Sequence, residues 1–324
     1  NTTWAIKHIL PADSLGMLFG ASGAFKSFVA LDMALHIAHG LPWMGKKTTQ
    51  GPVVYIAAEG GTGLWRRIKA WHQQRGLDWR SLPFHVVPVA VMLGKQAGKV
   101  VEAAARVGTT PAVVVVDTMS QTFEGEENSA NEVAAYLRAL GAAFRARWQC
   151  VVLVIHHSGH AATERPRGSS AILANVDYLF GCFRDENQLL ATLTCEKQKD
   201  GERFDPEMFE LDSQVLGIDA DGEAIRSLAA RHINPGAEAQ AALARQAAAG
   251  RGGRTTQLAQ LAHNGQPYKS LRKDFYDAMG DMKTEAKQKA FVRAWSEAKE
   301  IGLLDIAEGR VIVLQPVDNS EVEE

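Results

Sequence analysis

LGMLFGASGAFKSFVALDMALHIAHG, residues 15–40, is the stretch from which the rest of the chain can be read. An apolar run ending at Phe19 meets Gly20-Ala21-Ser22-Gly23-Ala24-Phe25-Lys26-Ser27, and helical apolar spacing then continues to Gly40. Strand, glycine-bearing turn and helix, in that order, are the setting in which the pattern G-x-x-x-x-G-K-[ST] holds phosphate. Successive backbone N–H groups at a helix N-terminus form an anion nest, and the helix dipole adds to it. In that reading Lys26 brings a point charge to the β- and γ-phosphates of ATP, and the Ser27 hydroxyl serves Mg²⁺. Gly20, Ser22, Gly23, Ala24 and Phe25 complete the cradle. Phe25 stands where the pattern has glycine. Its side chain is expected to require a right-handed φ with the ring turned from the phosphates, leaving positive φ to Gly23.

Outward from this turn, short β-branched runs alternate with helical patterns as far as residue 197. The runs at 16–19, 52–57, 84–89, 112–117 and 150–156 are read as strands. Several are apolar at every position, which suits strands buried on both faces of a sheet. Residues 27–40 and 130–148 carry the three-to-four spacing of helices. The alternation predicts an α/β fold with a mostly parallel sheet covered by helices. Runs 178–183 and 189–197 flank Asp185-Glu186-Asn187 and read as a hairpin, with two short strands expected near 207–211 and 214–218.

Carboxylates at strand tips carry the chemistry. Asp117 ends the four-valine run AVVVVD, at the crevice where α/β sheets bind ligands, and could hold Mg²⁺ through water. Glu59 ends VVYIAAE on a second strand, so the two acids are expected to converge on a γ-phosphate. One can serve the metal while the other orients or deprotonates water. His156 and His157 end a third strand, where a histidine could hydrogen-bond the γ-phosphate or simply be structural. His160 lies close by, but no cysteine or acidic cluster accompanies these histidines, which argues against zinc.

Taken together, GASGAFKS, Glu59, AVVVVDT, VLVIHHSGH, RGSSAI and EKQKDG occur in the order found in RecA-like P-loop ring ATPases. The chain most resembles the RepA-like plasmid and phage hexameric helicases, and more distantly DnaB-like replicative helicases, over about residues 4–212. The resemblance implies that Glu59 is the catalytic base, Asp117 the magnesium ligand and His157 the γ-phosphate sensor. It implies that segment 159–170, with Arg165 and Arg167, touches single-stranded DNA in a central channel. It also implies that Lys197 and Lys199 act in trans on a neighbouring subunit's ATP. Lys199 stands where DnaB-like proteins use arginine, and lysine lacks the bidentate fork. RepA-like proteins also tend to carry an arginine near Val176 or Asp177, and none occurs there. On spacing alone, Lys197 and Lys199 share one face of a strand and read equally as a solvated edge blunted by lysine.

Residues 1–234 are thus expected to form the ATPase domain, and the Ala-, Gln- and Gly-rich 235–254 a linker. Residues 255–316 resemble a winged helix-turn-helix, with helices near 268–279 and 284–304 and a strand at 310–314. Lys287, Lys289 and Arg293 would face DNA phosphates there. Nine basic and eight acidic residues in 255–310 make a weak electrostatic footprint, so a protein-docking module is the alternative. Residues 317–324 read as an acidic tail.

The bulk figures fit a soluble protein: 46% hydrophobic, 22% charged, net charge −2. That balance excludes a wholly basic nucleic-acid coat. Cys150, Cys182 and Cys195 have no metal-like spacing and suit a reducing cytoplasm. No apolar run is long enough to span a bilayer, so no membrane partner is expected. The chain opens on Asn1 without a signal-peptide pattern, which fits a processed or excised start. The expected partners are single-stranded DNA, further copies in a homo-oligomer (a hexamer by resemblance) and a replication initiator or loader. The competing functions are a recombinase or recombination mediator in open filaments, and a nucleotide-gated DNA-binding regulator.

Overall fold

The computed structural model describes residues 2–234, except 60, 160, 161, 167, 168 and 185–187, and residues 258–314, except 259, 260, 281–283, 301–303 and 308. The expected linker 235–254, the expected tail 317–324 and the turn at 185–187 lie outside the described residues. The chain divides into two compact units, Asn1–Pro235 and Gly236–Glu324.

The first unit begins with a small antiparallel pair, β1 (Trp4–Ile6) and β2 (Leu10–Pro11). There follow β3 (Ser14–Gly20), α1 (Lys26–His39), β4 (Val53–Ala57), α2 (Gly61–Arg75), β5 (Phe84–Val87), α3 (Leu93–Arg106) and β6 (Val113–Asp117). Next come α4 (Met119–Thr122), α5 (Ala130–Leu140), a π-helical turn at Gly141–Arg145, α6 (Ala146–Trp148), β7 (Val151–Gly159), β8 (Ala162–Pro166) and α7 (Ser169–Asn175). Four strands close the unit: β9 (Tyr178–Arg184), β10 (Leu190–Gln198), β11 (Glu207–Ile218) and β12 (Ala224–Ile233). The main sheet runs β12-β11-β10-β9-β3-β7-β6-β4-β5, with β8 on β7. Strands β9, β3, β7, β6, β4 and β5 are parallel, and β10 to β12 extend them antiparallel.

Alternation along the strands divides the apolar residues into two cores. Val113 and Val115 pack with Tyr55, Leu18, Ile155 and the buried faces of α1 and α2. Val114 and Val116 pack on the other face with Met17, Ile56, Val154 and residues of α3 and α5. Period-two geometry sends neighbours to opposite faces, so four consecutive valines are all buried.

Three local expectations change. The two short strands near 207–218 are one strand, β11, paired along its length with β12. The helix expected over 130–148 is interrupted by the π-helical turn at Gly141–Arg145. In the second unit, α8 (Tyr268–Ala278) and α9 (Thr284–Glu300) are followed by β13 (Leu304–Ala307) and β14 (Arg310–Val313), an antiparallel hairpin. The second helix therefore stops before Leu304, which is buried in the strand beside it. Phe291, Ala294 and Ala298 face that unit's core, whereas Val292 faces out.

One buried polar knot pins α1 to α2. Asp32 is 1% exposed and accepts from Trp43 Nε1 at 2.8 Å, Trp71 Nε1 at 2.6 Å and Arg75 at 2.8 Å. Arg75 also donates to the Ala230 carbonyl of β12, at 3.0 Å. A buried carboxylate with three donors is tolerated, and removing it strands those donors. Asp32→Ala should therefore lower unfolding free energy by roughly 3–5 kcal/mol in urea melts. A loss below about 1 kcal/mol would show that the knot is peripheral to stability.

Candidate functional site

The turn after β3 is shaped by two backbone constraints. A Cβ on Gly20 would sit 2.1 Å from the Cys182 carbonyl oxygen of β9, so only glycine fits there. Gly23 has φ 78° and open space around it, the left-handed role expected of it. Phe25, expected to be right-handed, also lies in the left-handed region, at φ 62° and ψ 15°. It is the N-cap of α1, and positive φ is needed there to swing the chain from the loop into the helix. Such a conformation costs a residue with a Cβ about 1–2 kcal/mol. The ring meets the Arg184 guanidinium at 4.6 Å and the edge of Phe28 at 6.0 Å. Those contacts are worth about 0.5–1 and 0.5–1.5 kcal/mol respectively, enough to offset the strain. Below the loop, Cys182 Sγ donates to the Ala24 carbonyl at 3.0 Å. Burial pushes the Cys182 thiol up to about 12, so it stays protonated.

Strand register then sets the other groups around this turn. Gly20 lies opposite His157 of β7, and Asp117 of β6 lies opposite Ala57 of β4. Glu59 sits two residues beyond the end of β4, not on its last residue. Ser27 Oγ donates to Asp117 Oδ1 at 3.0 Å, and Tyr55 Oη donates to Asp117 Oδ2 at 2.6 Å. Thr118 Oγ1 donates to Glu59 Oε1 at 2.9 Å. Lys26 Nζ lies inside the loop, donating to the Gly20 and Ala21 carbonyls at 3.0 and 2.7 Å. His157 bridges the group, with Nδ1 at 3.4 Å from Lys26 Nζ and Nε2 at 3.9 Å from Glu59 Oε1. The expected convergence of Lys26, Ser27, Glu59, Asp117 and His157 is thus present.

Electrostatics follow from burial. Desolvation lowers the Lys26 pKa, opposed by the neighbouring Cys182, Asp117 and Glu59. Burial also raises the Asp117 pKa, opposed by the hydrogen bonds from Tyr55 and Ser27, while Glu59 raises it further. A buried carboxylate beside a hydroxyl under an anion nest is an all-oxygen donor set suited to a hard cation. Ser27 Oγ and Asp117 Oδ1 therefore fit Mg²⁺. Among the described residues no group of three or more His, Cys, Asp or Glu is placed to hold a metal by itself, and His160 lies outside them.

Elsewhere the expected residues fare differently. Of the described residues in segment 159–170, Gly159 ends β7, Ala162–Pro166 form β8 paired with β7, and Ser169 opens α7. Arg165 lies in β8, and Arg167 lies outside the described residues. Lys197 and Lys199 stand at the end of β10, opposite the first residues of β9. That is toward the end of the sheet away from Gly20: along the strand direction Lys199 is level with Leu15, roughly 17 Å off, and Lys197 with Met17, roughly 10 Å off. Lys197 Nζ donates to the Leu173 and Val176 carbonyls at the C-terminus of α7, both at 2.7 Å. Lys199 pairs with Asp177 at 3.2 Å. Arg145, from the π-helical turn, reaches the other Asp177 oxygen at 3.0 Å. In the second unit Lys287 Nζ donates to the Tyr276 carbonyl at 2.8 Å, closing α8. Lys289 pairs with Glu285 at 3.0 Å, and Arg293 is exposed on the same helix.

Sequence reasoning gave no role to Tyr55, Thr118 or Arg184. Thr118 could have been found as the hydroxyl following the strand-end acid. Tyr55 reads only as a strand aromatic, and Arg184 as an ordinary strand-end charge.

A family model described as an AAA domain matches residues 1–163. Among solved structures, the RadB recombinase is similar at 17% identity and a TM-score of 0.45, over 62% of this chain and 88% of that one. A DnaB-like replicative helicase is similar at 14% identity and a TM-score of 0.48, over 61% of this chain and 55% of that one.

Because Phe25 already has the φ that glycine prefers, Phe25→Gly should leave nucleotide affinity within about threefold of wild type. Fluorescence titration with a labelled ADP would check this. A loss of tenfold or more would mean that the ring itself, or Arg184 upon it, contacts the nucleotide.

Proposed function

The chain belongs to the AAA domain family, and from that premise we propose that it is an ATP-hydrolysing, ring-forming motor on single-stranded DNA. The proposed role is that of a hexameric helicase or translocase in replication of a plasmid, phage or mobile element. One observation carries the ATPase reading: two carboxylates and a histidine, in or just beyond three parallel strands, meet Lys26 and Ser27 of α1 at one phosphate-loop turn.

In this mechanism the backbone amides of residues 22–27 bind the triphosphate, and Lys26 exchanges its loop carbonyls for the β- and γ-oxygens. Ser27 and Asp117 would hold Mg²⁺, whose charge would offset that of the phosphate oxygens. Glu59, steadied by the Thr118 hydroxyl, orients water and takes its proton. His157 stands between Lys26 and Glu59 and would sense the γ-phosphate. Lys199 is too far from its own subunit's loop to act in cis, which supports a trans role across a head-to-tail interface. Lys197 holds α7 in place, so Lys199 is the cation proposed to cross. Segment 159–170, with Arg165 and Arg167, is proposed to track DNA phosphates. The second unit is proposed to act as a winged helix-turn-helix, with Lys289 and Arg293 toward DNA and Lys287 serving its fold.

The proposal is tested by ATP turnover with and without single-stranded DNA. Turnover should rise with DNA in wild type. In Glu59→Gln it should fall at least about 100-fold while labelled nucleotide still binds. DNA-independent turnover would remove the motor reading, and a fully active Glu59→Gln would remove the base.

The trans role has its own assay. Lys199→Ala and Lys26→Ala should each be inactive alone, yet regain activity when mixed. Roughly a quarter of interfaces in a random equal mixture would pair an intact loop with an intact lysine. Absence of rescue in mixed, subunit-exchanged assemblies would refute it.

A further inference from the structure

Tyr55 lies mid-strand in β4 and is wholly buried, yet its hydroxyl reaches the polar end of the site. The Asp117 carboxylate has two oxygens, and each is held from a different element. Ser27, in the first turn of α1, donates to Oδ1, whereas Tyr55 donates to Oδ2 at the shorter distance of 2.6 Å. The Tyr55 ring is fixed in turn by stacking on Phe84 of β5, with centroids 6.0 Å apart.

An aspartate side chain turns freely about its last torsion, so its two oxygens are ordinarily interchangeable. Here the two positions differ, one facing Tyr55 and the other Ser27. We propose that Tyr55 is a positioning residue for the divalent metal: it fixes Oδ2 of Asp117 and so presents Oδ1, beside the Ser27 hydroxyl, as the oxygen that takes Mg²⁺ or its water. The chain reaches Glu59 two residues after β4 ends, so the strand that carries Tyr55 also leads into the proposed base. This inference rests on the nucleotide-site reading above. A merely structural role is the alternative, since a buried phenol needs an acceptor wherever it can find one. The two differ in what they do to metal dependence.

The test uses the full chain and a fluorescent non-hydrolysable ATP analogue, bound first in EDTA and then across a Mg²⁺ titration. Tyr55→Phe removes one oxygen and keeps the Phe84 stack. Affinity in EDTA should stay within about twofold of wild type, while the Mg²⁺ concentration giving half the enhancement rises about tenfold. In an Asp117→Asn background the same substitution should not move the Mg²⁺ curve further. An unchanged Mg²⁺ curve, whether or not urea melts show lost stability, overturns the proposal and leaves the nucleotide site standing. Failure of the wild type to bind the analogue at all overturns both. Should Tyr55→Phe not fold, 3-fluorotyrosine at position 55 carries the question. Its ¹⁹F resonance should shift on adding Mg²⁺ to the nucleotide-bound protein, and a silent resonance would sink the idea.

Discussion

A single buried carboxylate, Asp117, organises the nucleotide end of this protein. An ionised acid removed from water is costly unless its oxygens are met by donors. Asp117 is 7% exposed and meets that requirement with one hydroxyl from α1 and one from β4. The two hydrogen bonds tie the helix that follows the phosphate turn to two strands of the sheet. Because the ties are directional, they constrain more than apolar packing alone would. The serine that opens the helix, the acid that ends β6 and the tyrosine beneath them are held as one unit.

Around that unit the loop accepts an unusual residue. A phenylalanine with positive φ conflicts with the steric preference of L-residues. The conflict is settled by neighbours distant in sequence: Arg184 stacks on the ring face, and Phe28 meets its edge. Gly20 illustrates the opposite case, where close approach to the Cys182 backbone leaves room for hydrogen only. The departure from the glycine pattern is therefore compatible with the loop's shape, although local sequence argues against it.

At the other end of the sheet a second carboxylate gathers cations. Asp177 takes Lys199 and Arg145 on its two oxygens, and the Leu15 amide also donates to Oδ2, at 3.0 Å. The sequence has no arginine at position 176 or 177 itself. Here a guanidinium arrives instead from the π-helical turn, a feature that shifts helix register by one residue. Lys197 secures α7, which opens at the end of the segment proposed to meet DNA. The segment proposed to meet DNA and the cationic end of β10 are thus linked through α7.

How much of this was legible beforehand follows from the range of each interaction. The strand–turn–helix at 15–40, the all-apolar valine strand and the acids at strand tips are local patterns, because backbone period and burial leave their marks within a few residues. They sufficed for a parallel α/β core with Lys26, Ser27, Glu59, Asp117 and His157 at one end. The handedness of Phe25, the hold of Tyr55 on Asp117 and the arrival of Arg145 at Asp177 depend on residues tens of positions apart. So does the commitment of Lys197 and Lys287 to helix-terminal carbonyls, a choice that spacing alone leaves open between fold and function. The sequence by itself determined which chemical groups stand at the strand ends. Only the tertiary structure decided which oxygen, ring or carbonyl each one faces, because strand order and register bring those partners together and neither is written in any local stretch of chain.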